Sequence, residues 1–239
     1  MVKSSKLYLI RWNNDGELQV TDGFNIEAMR HSERKNYGGE HQFVIIREAT
    51  EQDKIEYGVN GRPYKKKRLF VDMDGTMAVW RDADYFEQLL EKGYFENLPS
   101  QQNVVDAIRI IIDTRDDIEV HSLSAYLIES HYAVSEKNQW LDKQIPEIDK
   151  EHRFFCMCGT SKSGFIRART GCFNENDFLL DDYSNNLHQW AEDGGVGIKL
   201  YNGINGTNGT WHGNFVKAEW APEKTAEAIL NLIDSVPTK

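Results

Sequence analysis

The chain has 239 residues, a net charge of −10, 40% hydrophobic residues and three cysteines. That length buries a core without covalent staples, and an odd cysteine count, with Cys156 and Cys158 alternating in an apolar run, reads as reduced thiols in a cytoplasmic protein. The acidic balance argues against binding polymeric nucleic acid or an anionic membrane, and no apolar run of about 18 residues or secretory leader is present, so a small substrate is expected.

Residues 1–65 differ in character from the rest. Lys6 to Trp12 and Glu17 to Val20 flank an Asn13-Asn14-Asp15-Gly16 turn and read as a hairpin, with a further strand at Phe43 to Arg47. This segment is expected to be a small α+β appendage. The basic run Lys65-Lys66-Lys67-Arg68 reads as a solvated lead-in to a buried strand rather than a nucleic-acid patch.

From residue 66 to 239 strands and helices alternate. Leu69 to Met73 is a short apolar run ending in acids and Gly75, as a central parallel strand would. Asp82 to Lys92, with Tyr85, Phe86, Leu89 and Leu90 at helical spacing and Gly93 to stop it, predicts an amphipathic helix within a short cap insert at about 80–100. Ser100 is placed to cap a longer helix carrying Val104, Val105, Ile108 and Ile111.

Further strands are predicted at Ile118 to Leu123, Arg153 to Cys158, Phe178 to Leu180 and Gly197 to Tyr201. Helices start near Ser135 and Asn185, with Trp140, Leu141, Leu187 and Trp190 inward, and Pro222 opens the last one. Such alternation implies an α/β, Rossmann-like fold with a parallel sheet covered on both faces, whose ligands bind at the carboxyl ends of the strands.

Four clusters carry chemistry. Asp72-Met73-Asp74-Gly75-Thr76 sets two carboxylates one residue apart where a strand gives way to a glycine turn. One such carboxylate can attack phosphorus while the other moves a proton, although Asp and Gly are also ordinary turn residues. Asp181-Asp182 ends a second apolar run, where acids are costly unless a cation or hydrogen bonds hold them. With Asp72 they describe an oxygen-ligand Mg²⁺ site.

Ser124, at a strand end, offers a hydroxyl to a phosphate oxygen. Lys137, predicted in the first turn of its helix, opposes the helix dipole, as a phosphate ligand would explain. Lys162 is a second phosphate candidate, in a Gly159–Gly164 string that lacks P-loop spacing. Cys156-x-Cys158 with His152 lacks the spacing and second ligand pair of a zinc site.

Taken in order, acid pair, hydroxyl, lysine and acid pair resemble the four motifs of the haloacid-dehalogenase-like (HAD) hydrolases, over roughly residues 68–201. Within that superfamily the chain looks closest to the 5′(3′)-deoxyribonucleotidases, through Val71-Asp72-Met73-Asp74-Gly75, Glu136-Lys137 followed by Trp140, and Leu179-Leu180-Asp181-Asp182. The resemblance implies Asp72 as nucleophile and metal ligand, Asp74 as acid/base and carbonyl ligand, and Asp181 as a direct ligand. It further implies Asp182 holding a metal-bound water and Ser124, Lys137 and Lys162 on phosphate. Ala125 stands where those nucleotidases tend to have a second hydroxyl, and Tyr183 where they tend to have arginine.

The expected activity is a Mg²⁺-dependent phosphomonoesterase acting on a small phosphate ester such as a nucleoside 5′-monophosphate. The alternatives are a sugar phosphomutase and a non-catalytic module that keeps the fold. Trp80, Tyr85, Phe86 and Tyr94 are candidates for stacking on a base, with core packing favoured for Tyr85 and Phe86. The Asn202–Trp211 string, rich in Asn-Gly, either lines the pocket with backbone N–H groups or simply turns. The sequence sets no oligomeric state.

Overall fold

The structure is a computed structural model that describes residues 6–13, 16–36, 43–59, 66–81, 83, 85–204 and 210–236. The chain divides at Lys66 and Lys67 into two compact units. In the first, β1 (Leu7–Trp12) pairs antiparallel with β2 (Leu18–Asp22) and with β3 (Phe43–Glu48), in the order β2-β1-β3. Helix α1 (Gly23–Asn36) supplies Ile26 to a small core with Ile10 and Phe43. Helix α2 (Glu51–Tyr57) opens on a capping box in which Thr50 Oγ1 accepts from Asp53 N and the Asp53 carboxylate accepts from Thr50 N. Asn14 and Asp15 of the predicted hairpin turn lie outside the described residues.

The second unit is the expected α/β architecture. Strands β4 (Lys67–Val71), β5 (Ile118–Tyr126), β6 (Arg153–Met157), β7 (Asp177–Asp181), β8 (Val196–Tyr201) and β9 (Asn214–Lys217) form one parallel sheet in the order β6-β5-β4-β7-β8-β9. The helices are α3 (Gln102–Thr114), α4 (Ala133–Gln144), α5 (Lys162–Thr170), α6 (Ser184–Glu192) and α7 (Pro222–Ser235). Alternate strand residues serve opposite faces. Leu69, Val71 and Leu180 pack with Ile108, Trp140 and Ile229 of α3, α4 and α7, whereas Phe70 and Leu179 pack with Ile166, Leu187 and Trp190 of α5 and α6.

Chain order proceeds outward from β4 through β5 to β6, then returns to β7 on the other side of β4. The switch point of the sheet therefore lies between β4 and β7, where such folds open a crevice at the carboxyl ends. Register makes Val71 level with Leu180, and Asp72 N donates to Leu180 O at 2.9 Å, so Asp72 leaves β4 beside the end of β7.

Several local expectations are corrected. The cap insert holds only a 3-10 turn at Phe86–Leu90 instead of an amphipathic helix, and Tyr85 and Phe86 are half exposed instead of core. Asp82 and Asp84 lie outside the described residues. Helix α3 starts after Gln101, and the Ser100 hydroxyl meets the Gln102 side chain instead of capping the helix.

The start of α4 at Ala133 puts Lys137 in its second turn, and Ser135 Oγ donates back to Tyr132 O. The solvated reading of the basic run fails as well. Lys67 is buried with its ammonium on the Ile233 and Val236 carbonyls at the end of α7, and Arg68 pairs with buried Asp177 at 2.6 Å. Lys65 lies outside the described residues.

Candidate active site

Gly75 makes the first turn of the site possible. Its φ of +78° is in the left-handed region, and a Cβ there would run into the Asp182 carboxylate, so only glycine lets this loop approach the end of β7. The backbone thus swings Asp72 and Asp74 to the same crevice as Asp181 and Asp182. Together with Trp80 and Lys162 they line a cavity of about 290 Å³.

Carboxylate oxygens of Asp72, Asp181 and Asp182 lie within 4.8 Å of one another, and all three residues are buried. Lys162 Nζ donates to Asp72 Oδ1 at 2.6 Å and to Asp181 Oδ2 at 2.7 Å. Lys162 is the first residue of α5, which Ser161 caps by accepting from Gly164 N. A cation at that end opposes the helix dipole, and the two carboxylates hold it there. The placement reasoned for Lys137 from the sequence belongs instead to Lys162.

Burial pushes the Asp72 carboxyl well above the usual carboxylate range; Lys162 opposes the shift, while Asp181, Asp74 and Asp182 add to it. Burial works against the Lys162 charge, but Asp181 and Asp72 outweigh it and hold its pKa above the ordinary lysine value. Three carboxylates facing one ammonium leave surplus negative charge in a buried place. A divalent cation with hard oxygen preference fits that donor set.

A second lysine addresses the other acid. Lys137, fully buried, donates to Asp74 Oδ2, to Ser124 Oγ at 2.8 Å and to the Ala125 carbonyl at 2.6 Å. Its ammonium also lies 4.6 Å from the centre of the Phe95 ring. Asp74 Oδ1 is buried without a hydrogen-bond partner, an expensive state for a carboxylate oxygen unless a proton, ion or ligand meets it. Ser124 lies inside β5 rather than beyond its end and meets Lys137, which in turn meets Asp74, and neither Ser124 nor Lys137 lines the cavity.

Sequence reasoning missed the supports of this cluster. Asn202 Nδ2 bridges the Gly75 carbonyl at 2.5 Å and Asp182 Oδ2 at 3.1 Å, tying the two acidic turns together. Asn186 Nδ2 and Tyr183 N each donate to the Asp181 carboxylate at 2.8 Å. Buried Lys199 donates to the Asp182 carbonyl and to Ser184 Oγ at 3.1 Å. Glu136, 2% exposed, accepts from Gly93 N and Phe95 N and thereby fastens the insert to α4 beside Lys137.

One signal was available, for Lys199 alone: a lysine inside the apolar run Val196–Leu200 needs a buried partner. Of the four aromatic candidates, Trp80 lines the cavity, Tyr94 is buried behind it with ring centroids 6.1 Å apart, and Tyr85 and Phe86 do not line it. In the Asn202–Trp211 string, residues 205–209 lie outside the described residues; Ile204 lines the cavity. The zinc reading finds no support among the described residues, where the acidic trio is the group of three or more potential ligands close enough to share an ion. No described helix is long and apolar enough to cross a membrane.

No protein-family model matches the chain, and no curated protein matches it. Solved structures do. A D,D-heptose 1.7-bisphosphate phosphatase from B. bronchiseptica, complexed with magnesium and phosphate, is 17% identical with a TM-score of 0.47, covering 69% of this chain and 98% of that one. The enzyme of that name from Burkholderia Thailandensis is 12% identical with a TM-score of 0.49, covering 69% and 99%. A Had-superfamily hydrolase from Ehrlichia chaffeensis is 11% identical with a TM-score of 0.44, covering 72% and 100%. Identities and scores this low leave the chemistry to be argued from the chain's own side chains.

Proposed function

We propose that the protein is a HAD-type, Mg²⁺-dependent phosphomonoesterase working through an aspartyl-phosphate. The observation that carries this reading is the buried trio of Asp72, Asp181 and Asp182 within 4.8 Å at the switch point of a parallel sheet, with Asp74 beside it. Asp72, Asp181 and Asp182 would hold the ion with the Asp74 carbonyl. When bound, Mg²⁺ offsets charge on the transferring phosphoryl group.

The chain's residues do the rest. An Asp72 oxygen attacks phosphorus, the bond to the leaving oxygen breaks, and Asp74 supplies the proton that oxygen takes. Asp74 then accepts a proton from the water that attacks phosphorus of the Asp72 acyl phosphate, and the bond from phosphorus to the Asp72 oxygen breaks, releasing phosphate and restoring Asp72. Lys162, already on Asp72, is placed to bind the phosphoryl oxygens. Lys137 fixes the orientation of Asp74 and is itself held by Ser124 and the Ala125 carbonyl.

A nucleoside 5′-monophosphate is the substrate best suited to this reading, since the cavity that holds the acids is too small for more than the phosphate end and Trp80 walls it on one side. The deciding experiment is release of p-nitrophenol from its phosphate ester in Mg²⁺ by the native chain and by Asp72→Asn. Turnover that depends on Asp72 supports the reading, and equal rates in the two proteins end it.

A further inference from the structure

A second cavity, of about 270 Å³, adjoins the acidic one. Cys158, Thr160, Asn185 and Gln189 line it, and it shares Lys162 and Tyr183 with the first. Each cavity alone sits at or below the small end of ligand pockets, about 300 Å³. The pair accommodates more than a phosphate.

Tyr183 stands at the boundary. Its ring is 47% exposed, and its hydroxyl accepts from Asn185 Nδ2 at 2.9 Å, so α6 holds the phenol in place between the cavities. Charge then sorts what can lie across both. Among the described lining residues Lys162 is the one cation, already shared by two carboxylates, and four acids line the first cavity. A further anionic group placed in the second cavity would find no cation there, among the described residues, other than Lys162, which Asp72 and Asp181 already hold. The second cavity offers instead hydroxyl and amide groups from Thr160, Asn185 and Gln189, and the flat face of Tyr183.

We propose that this second cavity receives the organic half of the phosphate ester, and that this half is uncharged and hydrogen-bonding, a polyol or a nucleoside. The proposal rests on the phosphohydrolase reading for its first cavity. Tyr183, where the resemblance leads one to expect arginine, then becomes a specificity-determining residue: a cation at that boundary would admit a second anionic group, and tyrosine does not.

Cys158 gives a readout that needs no turnover. It is exposed in the second cavity, Cys156 is buried, and Cys172 can be removed as Cys172→Ser. In full-length Asp72→Asn, Cys172→Ser protein with Mg²⁺, the rate of maleimide labelling at Cys158 is measured with four probes. A nucleoside 5′-monophosphate or a pentose 5-phosphate is expected to slow labelling by about fivefold or more, because the thiol must be reached to react. Inorganic phosphate and a nucleoside 3′,5′-bisphosphate are expected to leave it unchanged, and Tyr183→Arg is expected to let the bisphosphate protect.

Protection by phosphate alone, equal protection by the bisphosphate in the Tyr183 protein, or no protection by either ester overturns the proposal. Release of p-nitrophenol by the native chain separates the two claims. Turnover without protection sinks the second cavity only, and protection without turnover supports the cavity while sinking the hydrolytic reading.

Discussion

The two ends of strand β4 bury charge in opposite ways. At the amino end Arg68 meets Asp177 across the β4–β7 pair, and the spare Asp177 oxygen accepts from Asn174 N, so the charges balance and the donors are used. At the carboxyl end, four residues further along the same pair of strands, Asp72 and Asp181 share one lysine with Asp182 close by, and the balance is left negative. A closed pair of this kind secures a fold. An open, unbalanced one is the kind of cluster that marks a candidate binding site.

The sharpest way to break that contrast is to neutralise one acid at each end. Asp72→Asn is expected to lower phosphatase turnover by about a thousandfold or more, measured by phosphate release, while the melting temperature in the absence of Mg²⁺ does not fall, because a neutral side chain relieves the crowding of carboxylates. Asp177→Asn is expected to cost about 3 kcal/mol in urea unfolding, since Arg68 loses its partner in a buried place, with kcat retained in the molecules that remain folded. A stability loss at Asp72 as large as that at Asp177 would erase the distinction.

Mg²⁺ sharpens it further. At about a hundredfold over its dissociation constant the ion should stabilise the native chain by about 2.7 kcal/mol, seen as a rise in melting temperature, and Asp181→Asn should remove most of that rise. Smaller effects are expected at Glu136, which holds the insert. Glu136→Ala should cost about 2 kcal/mol by orphaning the Gly93 and Phe95 N–H groups, and should raise KM more than it lowers kcat, whereas Glu136→Gln keeps an acceptor and recovers part of both.

The smallest effect is at His121, buried between Phe70 and Phe154 and with neither ring nitrogen hydrogen-bonded. Glu119 stands 3.6 Å from Nε2, too far for a hydrogen bond, so burial wins and the His121 pKa is lowered. The unfolded chain therefore takes up the proton first. Stability is full above the unfolded value of about 6.5 and falls as pH drops through it, a slope that His121→Phe should flatten.

Much of this was legible because burial and pattern agree along β4 and β7. An apolar run such as Phe178-Leu179-Leu180 can only be a covered strand, and acids at its end identify the crevice. Pro222 announced α7 correctly, since a ring at the first helical position costs nothing. The aromatic periodicity at Tyr85 and Phe86 misled, because spacing cannot say whether a partner surface exists.

Helix α5 went unread: Lys162-Ser163-Gly164 looks like a turn until its lysine is seen between two carboxylates. Strand β9, four residues long and beginning three after Trp211, is too short to show a period and is defined by pairing with β8. Asn202 and Glu136 act through contacts distant in sequence, which no local pattern encodes.

The strand order carries one more consequence. Asp72 and Asp181 become neighbours only through the pairing of β4 with β7, after β5, β6 and the helices around them have been threaded between, a contact of high sequence separation that forms slowly. On the ribosome the first acidic turn must therefore wait, incomplete, until β5, β6 and the helices between them have been made and β7 has emerged. A nascent chain halted before β7 would lack Asp181 and Asp182, so the acidic trio cannot assemble until that strand has been made and paired.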